Sequence, residues 1–346
     1  MKIAEMLKRE DFYKINAETL SSYYGGEGEN TPLYVYPGLN AVVTKRPSKK
    51  VRDYLLTEYG VRGNFLKRFA VRSYVRLCLA SGGIMADRSV MLPNKATSDT
   101  LIYPCNRKYR IFNFDSRTVD VQIKSGFPSE QLRHEIEFRT REGIPGFVPL
   151  LVSHCDSGYS ENIIDGRPLA RITDGFEKYK QKAYNELSVY ARQFDSVITG
   201  KEYSEGMRAK IEGYGYECSR LTDNLCLAVS GIPEIKITFS HGDLQAGNIW
   251  IENGTGKVYI IDWESWGMRS GFYDKAALFD GLRPGNIENY FGKNIPVCEK
   301  AVVLLEDLVF QLEEYRSLPD GFGKENLEDY IRKVTEWSLS NPDLQV

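Results

Sequence analysis

The chain has 346 residues, 45 Lys and Arg against 47 Asp and Glu for a net charge of −2, and 42% hydrophobic residues. That length can build more than one core, and that composition is globular rather than disordered. No apolar run approaches the ~20 residues of a membrane span, the start Met1-Lys2-Ile3-Ala4-Glu5 lacks the apolar heart of a signal peptide, and six scattered cysteines with no CxxC pair, beside three histidines, point to neither a zinc site nor a disulfide framework.

A reducing, cytoplasmic setting is expected. Residues 23–30, Tyr-Tyr-Gly-Gly-Glu-Gly-Glu-Asn, read as loop. Between Lys45 and Arg76 ten basic residues (45, 46, 49, 50, 52, 62, 67, 68, 72 and 76) face two acids, Asp53 and Glu58. Phe65, Leu66, Phe69, Val71, Val75, Leu77 and Leu79 mark a helix in the latter half, broken by Ser81-Gly82-Gly83. A basic, partly amphipathic stretch of this kind suits peripheral contact with a membrane surface or a polyanion, or forms a solvated face. No nucleic-acid module is recognisable, so no nucleic-acid partner is expected.

From Thr100 the pattern changes to strands: Leu101 to Tyr103, Tyr109 to Phe114, and Val119 to Lys124 after the turn Asp115-Ser116-Arg117-Thr118. Pro128-Ser129-Glu130-Gln131 then opens a helix with a Ser cap, carrying His134 to Phe138 and ending before Gly143-Ile144-Pro145-Gly146. Val148 to Ser153 reads as a strand. Thr173-Asp174 can cap a helix with Phe176, Tyr179, Ala183, Leu187, Tyr190 and Phe194 at three- and four-residue steps, and Leu221, Leu225 and Val229 mark another. Near the C-terminus, Leu304, Leu305, Leu308, Val309, Leu312 and Tyr315 stripe one helix, and Leu327, Ile331, Val334 and Trp337 a second.

The chemistry gathers between Phe239 and Ala276. Two apolar runs, Ile249 to Ile251 and Val258 to Ile261, flank the turn Glu252-Asn253-Gly254-Thr255-Gly256, which predicts a hairpin. Asp243 falls just before it, with Asn248 at its start, and Asp262 falls just after. Such a hairpin brings two carboxylates and an amide to one end of a small sheet. Phosphoryl transfer uses that set: one acid accepts the proton of the attacking hydroxyl, and an Asn and a second Asp hold Mg²⁺.

Asp243 to Asn248 has the spacing of the kinase catalytic loop H-R-D-x-x-x-x-N, with Gly242 in place of the Arg and Asp262-Trp263-Glu264 in place of D-F-G. His241-Gly242-Asp243 to Asn248 followed by Ile261-Asp262-Trp263-Glu264 resembles the aminoglycoside phosphotransferase and choline kinase group of small-molecule kinases. The resemblance covers about two thirds of the chain, from Thr100 to the C-terminus. It implies an α+β, two-lobed protein-kinase-like fold: a small antiparallel-sheet N-lobe over residues 96–160, and a hinge and mainly helical C-lobe with the catalytic hairpin over 161–346. Residues 1–95 would be a basic, partly helical extension of unassigned role.

The resemblance also implies roles. Lys124, closing the third strand, takes the place of the lysine that pairs the nucleotide phosphates, with Glu135 as its helix partner and Glu137 as the fallback. No glycine-rich loop stands between the first two strands; Pro104-Cys105-Asn106-Arg107-Lys108 does, and Arg107 and Lys108 would add charge toward phosphate. Glu161 to Leu169 reads as the lobe hinge, with backbone groups of Asn162 to Ile164 meeting adenine. Asp243 would be the catalytic base, Asn248 and Asp262 the Mg²⁺ ligands, His241 a support beneath the loop, Glu264 a group near metal-bound water or acceptor, and Asp274 a structural brace. The C-terminal helical acids Glu306, Asp307, Glu313, Glu314, Glu328 and Asp329 would suit a cationic acceptor. ATP and Mg²⁺ are thus the expected cofactors, and the hydroxyl of an amino alcohol, sugar or glycan sugar the expected acceptor. Alternatives are a protein acceptor, which the absence of an A-P-E segment disfavours, and a pseudokinase-like binding or scaffold module.

Overall fold

The computed structural model describes residues 9–25, 30–59, 65–93, 96–105, 107–318 and 323–341. Met1 to Glu5, the loop residues Gly26 to Glu29, Arg62 and Asn106 lie outside the described residues. The fold is α+β, as expected, and the chain divides into two compact units. One comprises the chain up to Arg167 with two short returns, Arg171–Asp174 and Glu252–Thr255. The other comprises Pro168–Ala170, Gly175–Ile251 and the chain from Gly256 onward.

The first unit is built on eight strands: β1 Asn30–Tyr36, β2 Ala41–Thr44, β3 Arg88–Pro93, β4 Thr100–Pro104, β5 Lys108–Asn113, β6 Thr118–Ile123, β7 Leu151–Cys155 and β8 Gly158–Asn162. They form one sheet in the order β3-β1-β2-β4-β5-β6-β8-β7. Among the described residues four helices accompany them: α1 Arg9–Tyr24, α2 Lys49–Tyr59, α3 Phe65–Ala80 and α4 Glu130–Arg139. Because successive strand residues face opposite sides, the sheet feeds two cores. Val119 and Val121 pack with Leu132 and Ile136 of α4, Val51 and Leu55 of α2, and Val75 and Leu79 of α3. Ile102, Tyr109 and Ile111 pack on the other face with Leu20 and Tyr24 of α1.

The division expected near residue 95 is absent. Strand β2 pairs with β4, Val42 opposite Ile102, so β1 to β3 prolong the sheet and cover the edge that β4 would leave open. Two smaller expectations also shift. Ser129 precedes α4, but its side chain makes no capping hydrogen bond, and β7 begins at Leu151 rather than Val148.

The chain passes to the second unit through β9 (Gly166–Pro168), inside the segment read as a hinge. The second unit contains α5 Phe176–Ala191, β10 Ser196–Ile198, α6 Gly200–Gly213, α7 Ser219–Ser230, β11 Ile235–Ser240, β12 Ile249–Glu252, β13 Val258–Ile260 and β14 Gly267–Ser270. After these come α8 Tyr273–Lys275, continuing as a π-helical turn to Asp280, then α9 Ile287–Phe291, α10 Val297–Arg316 and α11 Lys324–Ser340. Leu225 and Val229 of α7, Leu304, Leu305 and Leu308 of α10, and Leu327 and Val334 of α11 build its core, matching the sequence stripes. At the start of α5 it is Gly175, at φ 76, that occupies the cap position, which puts Thr173 and Asp174 outside the helix.

Two of the acids read as facing a cationic acceptor are inside this core. Glu306 accepts from the Ser270 backbone N–H at 2.5 Å and its hydroxyl at 2.7 Å, and Asp307 accepts from the Tyr273 hydroxyl at 3.3 Å. Burial pushes both carboxyl pKa values up. They tie α10 to the β14–α8 segment. Glu328 and Asp329 lie near lysines and an arginine of their own helix, Lys324, Arg332 and Lys333.

Candidate active site

Strand β11 ends at Ser240, and residues 241–248 form a loop before β12. Gly242 explains why the chain can turn there. Its φ is +83°, and a Cβ on it would meet the Ser265 carbonyl oxygen at 2.0 Å. A side chain fits neither the conformation nor the space, which accounts for glycine where the kinase pattern has arginine. Asp274, on α8, fixes the turn by accepting from the backbone N–H groups of His241 at 2.8 Å and Gly242 at 3.2 Å.

The His241 ring is buried and used at both nitrogens. Nδ1 accepts the Asp243 backbone N–H at 3.2 Å, which leaves the proton on Nε2, where it is donated to the Ile261 carbonyl at 3.0 Å. The ring also lies 4.4 Å from that of Trp263, itself held by its Nε1–H on the Ile260 carbonyl at 2.7 Å. His241 thereby joins the loop to the far strand of the hairpin.

Above this base sits the half-buried Asp243. Its Oδ2 accepts from Gln245 Nε2 at 2.8 Å and from Asn248 Nδ2 at 3.0 Å, and Asn248 Nδ2 also reaches the Asp243 backbone carbonyl at 2.9 Å. Oδ1 lies 3.6 Å from Nη1 of Arg283. Burial raises the Asp243 pKa; Arg283 and His241 pull it down, and Asp262 pushes it up. The sequence gives no signal for Arg283, which lies forty residues downstream of Asp243, past the π-helical turn.

The expected hairpin forms, with Ile249 opposite Ile260 and Ile251 opposite Val258. The Ile261 N–H donates to the Asn248 carbonyl at 2.9 Å, so Asp262 follows directly on the residue paired with Asn248. Asp262 is one of three non-glycine residues with positive φ among the described residues, at φ 71, ψ 56. Aspartate is among the few side chains that adopt this left-handed conformation readily. Glu264 is half-buried in the short turn Trp263–Ser265 that follows. Asn248 spends its amide nitrogen on Asp243, so its Oδ1 is the amide atom available to a cation. Together with the Asp262 carboxylate this is a hard oxygen donor set, which fits Mg²⁺.

In the first unit, Glu135 rather than Glu137 is the buried helix acid. Its Oε1 accepts from Arg139 Nη1 at 3.3 Å and Tyr159 OH at 3.0 Å, whereas Glu137 is exposed beside Arg141. The lysine facing Glu135 corrects the sequence reading: Lys108 Nζ stands 3.6 Å from Glu135 Oε2. The reason is strand parity. Val119 and Val121 face α4, so 124 falls on the opposite face, while Lys108, paired with Ile123, falls on the α4 face. The Lys124 ammonium instead donates to the Cys105 carbonyl and lies 5.4 Å from the centre of the Tyr109 ring, and burial lowers its pKa to about 8.

Arg107 and Lys108, read as phosphate-facing, are both buried. Their turn is closed by the Cys105 N–H on the Lys108 carbonyl at 3.0 Å and the Lys124 N–H on the Arg107 carbonyl at 2.9 Å. At the expected adenine position, Asn162 ends β8 opposite Thr118, the Ile163 N–H donates to Arg117 at 2.8 Å, and the Ile164 carbonyl accepts from Gly166 at 2.9 Å. Part of that backbone is therefore used within the unit.

Similar solved structures include a choline/ethanolamine kinase family protein from Mesorhizobium loti, at 12% identity over 69% of this chain and 87% of that one, TM-score 0.43. Choline kinase from Cryptosporidium parvum Iowa II matches at 14% identity, 71% and 91% coverage, TM-score 0.42. A thermostable mutant of the aminoglycoside phosphotransferase APH(4)-Ia, in ternary complex with ADP and hygromycin B, matches at 13% identity, 71% and 95% coverage, TM-score 0.46. These are the groups that the sequence resembles. No family model matches the chain, and no curated protein does. At such low identities and TM-scores, the chain's own loop geometry carries the functional reading.

Proposed function

We propose that the protein is an ATP- and Mg²⁺-dependent phosphotransferase that moves the γ-phosphate of ATP to a hydroxyl of a small molecule, an amino alcohol, a sugar or a sugar of a glycan. The observation that supports this best is the Asp243–Asn248 pair, a carboxylate held at Oδ2 by Gln245 and Asn248 with Asp262 at the next position along the hairpin. With Oδ2 occupied by two donors and Oδ1 facing Arg283 at 3.6 Å, beyond hydrogen-bond distance, Oδ1 is the atom to take the proton from the acceptor hydroxyl as its oxygen bonds to phosphorus and the bond to ADP breaks. Burial keeps this carboxylate more basic than an ordinary aspartate. Asn248 and Asp262 would hold Mg²⁺, which supplies charge neutralisation on the phosphates when bound. Lys108, paired with Glu135, takes the phosphate-pairing role first read for Lys124.

A second reading, a binding module without turnover, is favoured by the β4–β5 turn, where Pro104 to Lys108 contain no glycine. One experiment separates the two. Transfer from γ-labelled ATP is measured with Mg²⁺ across amino alcohols, sugars, glycan fragments and aminoglycosides, together with ATP hydrolysis in the same tubes, for wild type and Asp243→Ala. The expected result is a labelled acceptor, or hydrolysis, that falls by about 10²- to 10⁴-fold in the variant. Wild-type protein that neither transfers nor hydrolyses would favour the binding module.

A further inference from the structure

Helix α3 buries one side and leaves an apolar side outside. At about 100° per residue, Val71, Val75, Cys78 and Leu79 share one side, and these pack into the core of the first unit. Phe65, Leu66, Phe69 and Leu77 fall on the opposite side, 72%, 74%, 61% and 59% exposed, and Ile84 just beyond the helix is 89% exposed. Single exposed apolar residues need no explanation, but five large ones within 20 residues of sequence form a patch, and patches of this kind mark interaction sites.

Charge identifies what the patch meets. From Tyr59 to Ala86 the sequence has no Asp or Glu and five Lys or Arg. Arg72 borders the outward apolar side and Arg76 falls near the same border, between Phe65 and Phe69, both exposed. Phe and Leu on one face with arginine at its border is the pattern of a helix lying in a membrane interface, apolar groups among the acyl chains and guanidinium groups at the phosphates. No helix among the described residues is long and apolar enough to cross a membrane, and α3 has 16 residues, so the arrangement lies on a bilayer rather than through it.

We propose that the outer face of α3, with Ile84, docks the protein on an anionic lipid bilayer. The inserting groups are Phe65, Leu66, Phe69, Leu77 and Ile84, and Arg72 and Arg76 contact lipid phosphate. Both parts are needed, since one apolar patch or a few cations alone give marginal membrane binding.

The test is co-flotation of the full chain with vesicles of phosphatidylcholine alone and of phosphatidylcholine mixed with phosphatidylglycerol, at low and high salt. The variants are Phe69→Ser/Leu77→Ser and Arg72→Glu/Arg76→Glu, all at exposed positions, with thermal unfolding to show that each remains folded. The expected result is wild-type binding to the mixed vesicles, weakened by salt, with each double variant at least about tenfold weaker. Three results would overturn the proposal: no wild-type flotation, binding to heparin that is indifferent to the Phe69 and Leu77 changes, or a concentration-dependent dimer that the serine variant dissolves. The last would give the patch to a second copy of the chain.

Discussion

Gly242 shows how much of a site can rest on an atom that is missing. Its positive φ and the Ser265 carbonyl leave no room for a methyl group, and the amides on either side of its Cα are bonded to Asp274 and to the loop. Gly242→Ala must move either the loop or the turn at 263–265. A loss of more than about 2 kcal/mol is expected, from the left-handed conformation and the clash together. Urea unfolding at neutral pH measures it; an unchanged midpoint would mean that the loop adapts freely. Glycine at this place was readable in the sequence as a departure from the kinase pattern. Its cause was not, because the carbonyl it avoids comes from a segment more than twenty residues away.

At the scale of elements, the alternation of β6 itself says which way Lys124 faces. Val119, Val121 and Ile123 alternate with Asp120, Gln122 and Lys124, so a lysine at 124 belongs with the polar set, on the side opposite the valines. The structure bears this out: Asp120 accepts from Tyr23 of α1 at 2.6 Å, and Lys124 reaches the turn at Cys105. Strands β4 to β6, α4 and the hairpin were legible because their periods are strong. Strands β1 to β3 were not, since Pro32, Tyr34 and Tyr36 give no clean alternation, and β3, the partner of β1, and β4, the partner of β2, each lie more than fifty residues on. The burial of Lys124 has a pH consequence. Its folded pKa of about 8 is below the ordinary 10.5, so the unfolded chain binds more protons between these values, and stability rises with pH across that window. The gain is on the order of 3 kcal/mol at full depression of the pKa. Lys124→Met should flatten the rise between pH 8 and 10 in denaturant titrations; parallel curves for both proteins would contradict it.

For the whole molecule, the two units each have their own apolar interior, one on the two faces of the eight-stranded sheet and one among the C-terminal helices. Chains built this way commonly unfold in steps. Leu55→Ala in the first interior and Leu304→Ala in the second should each cost about 2–5 kcal/mol, and calorimetry should show them lowering different transitions. One transition moved equally by both would mean a single cooperative block. The extent of the first unit was the largest thing hidden in the sequence. Residues 45–76 are basic in composition, and the strands on either side of them make their helices α2 and α3 the cover of a sheet whose remainder was plain.

In the proposed function, Asp262 answers to two demands at once. Its left-handed backbone is comfortable for glycine, asparagine and aspartate, whereas a charged oxygen ligand calls for aspartate or glutamate. Only one of the twenty amino acids belongs to both sets. Under the proposed function, a descendant that keeps phosphate transfer has no other amino acid to drift into at position 262, while one that abandons the chemistry but keeps the fold is free to wander to glycine or asparagine.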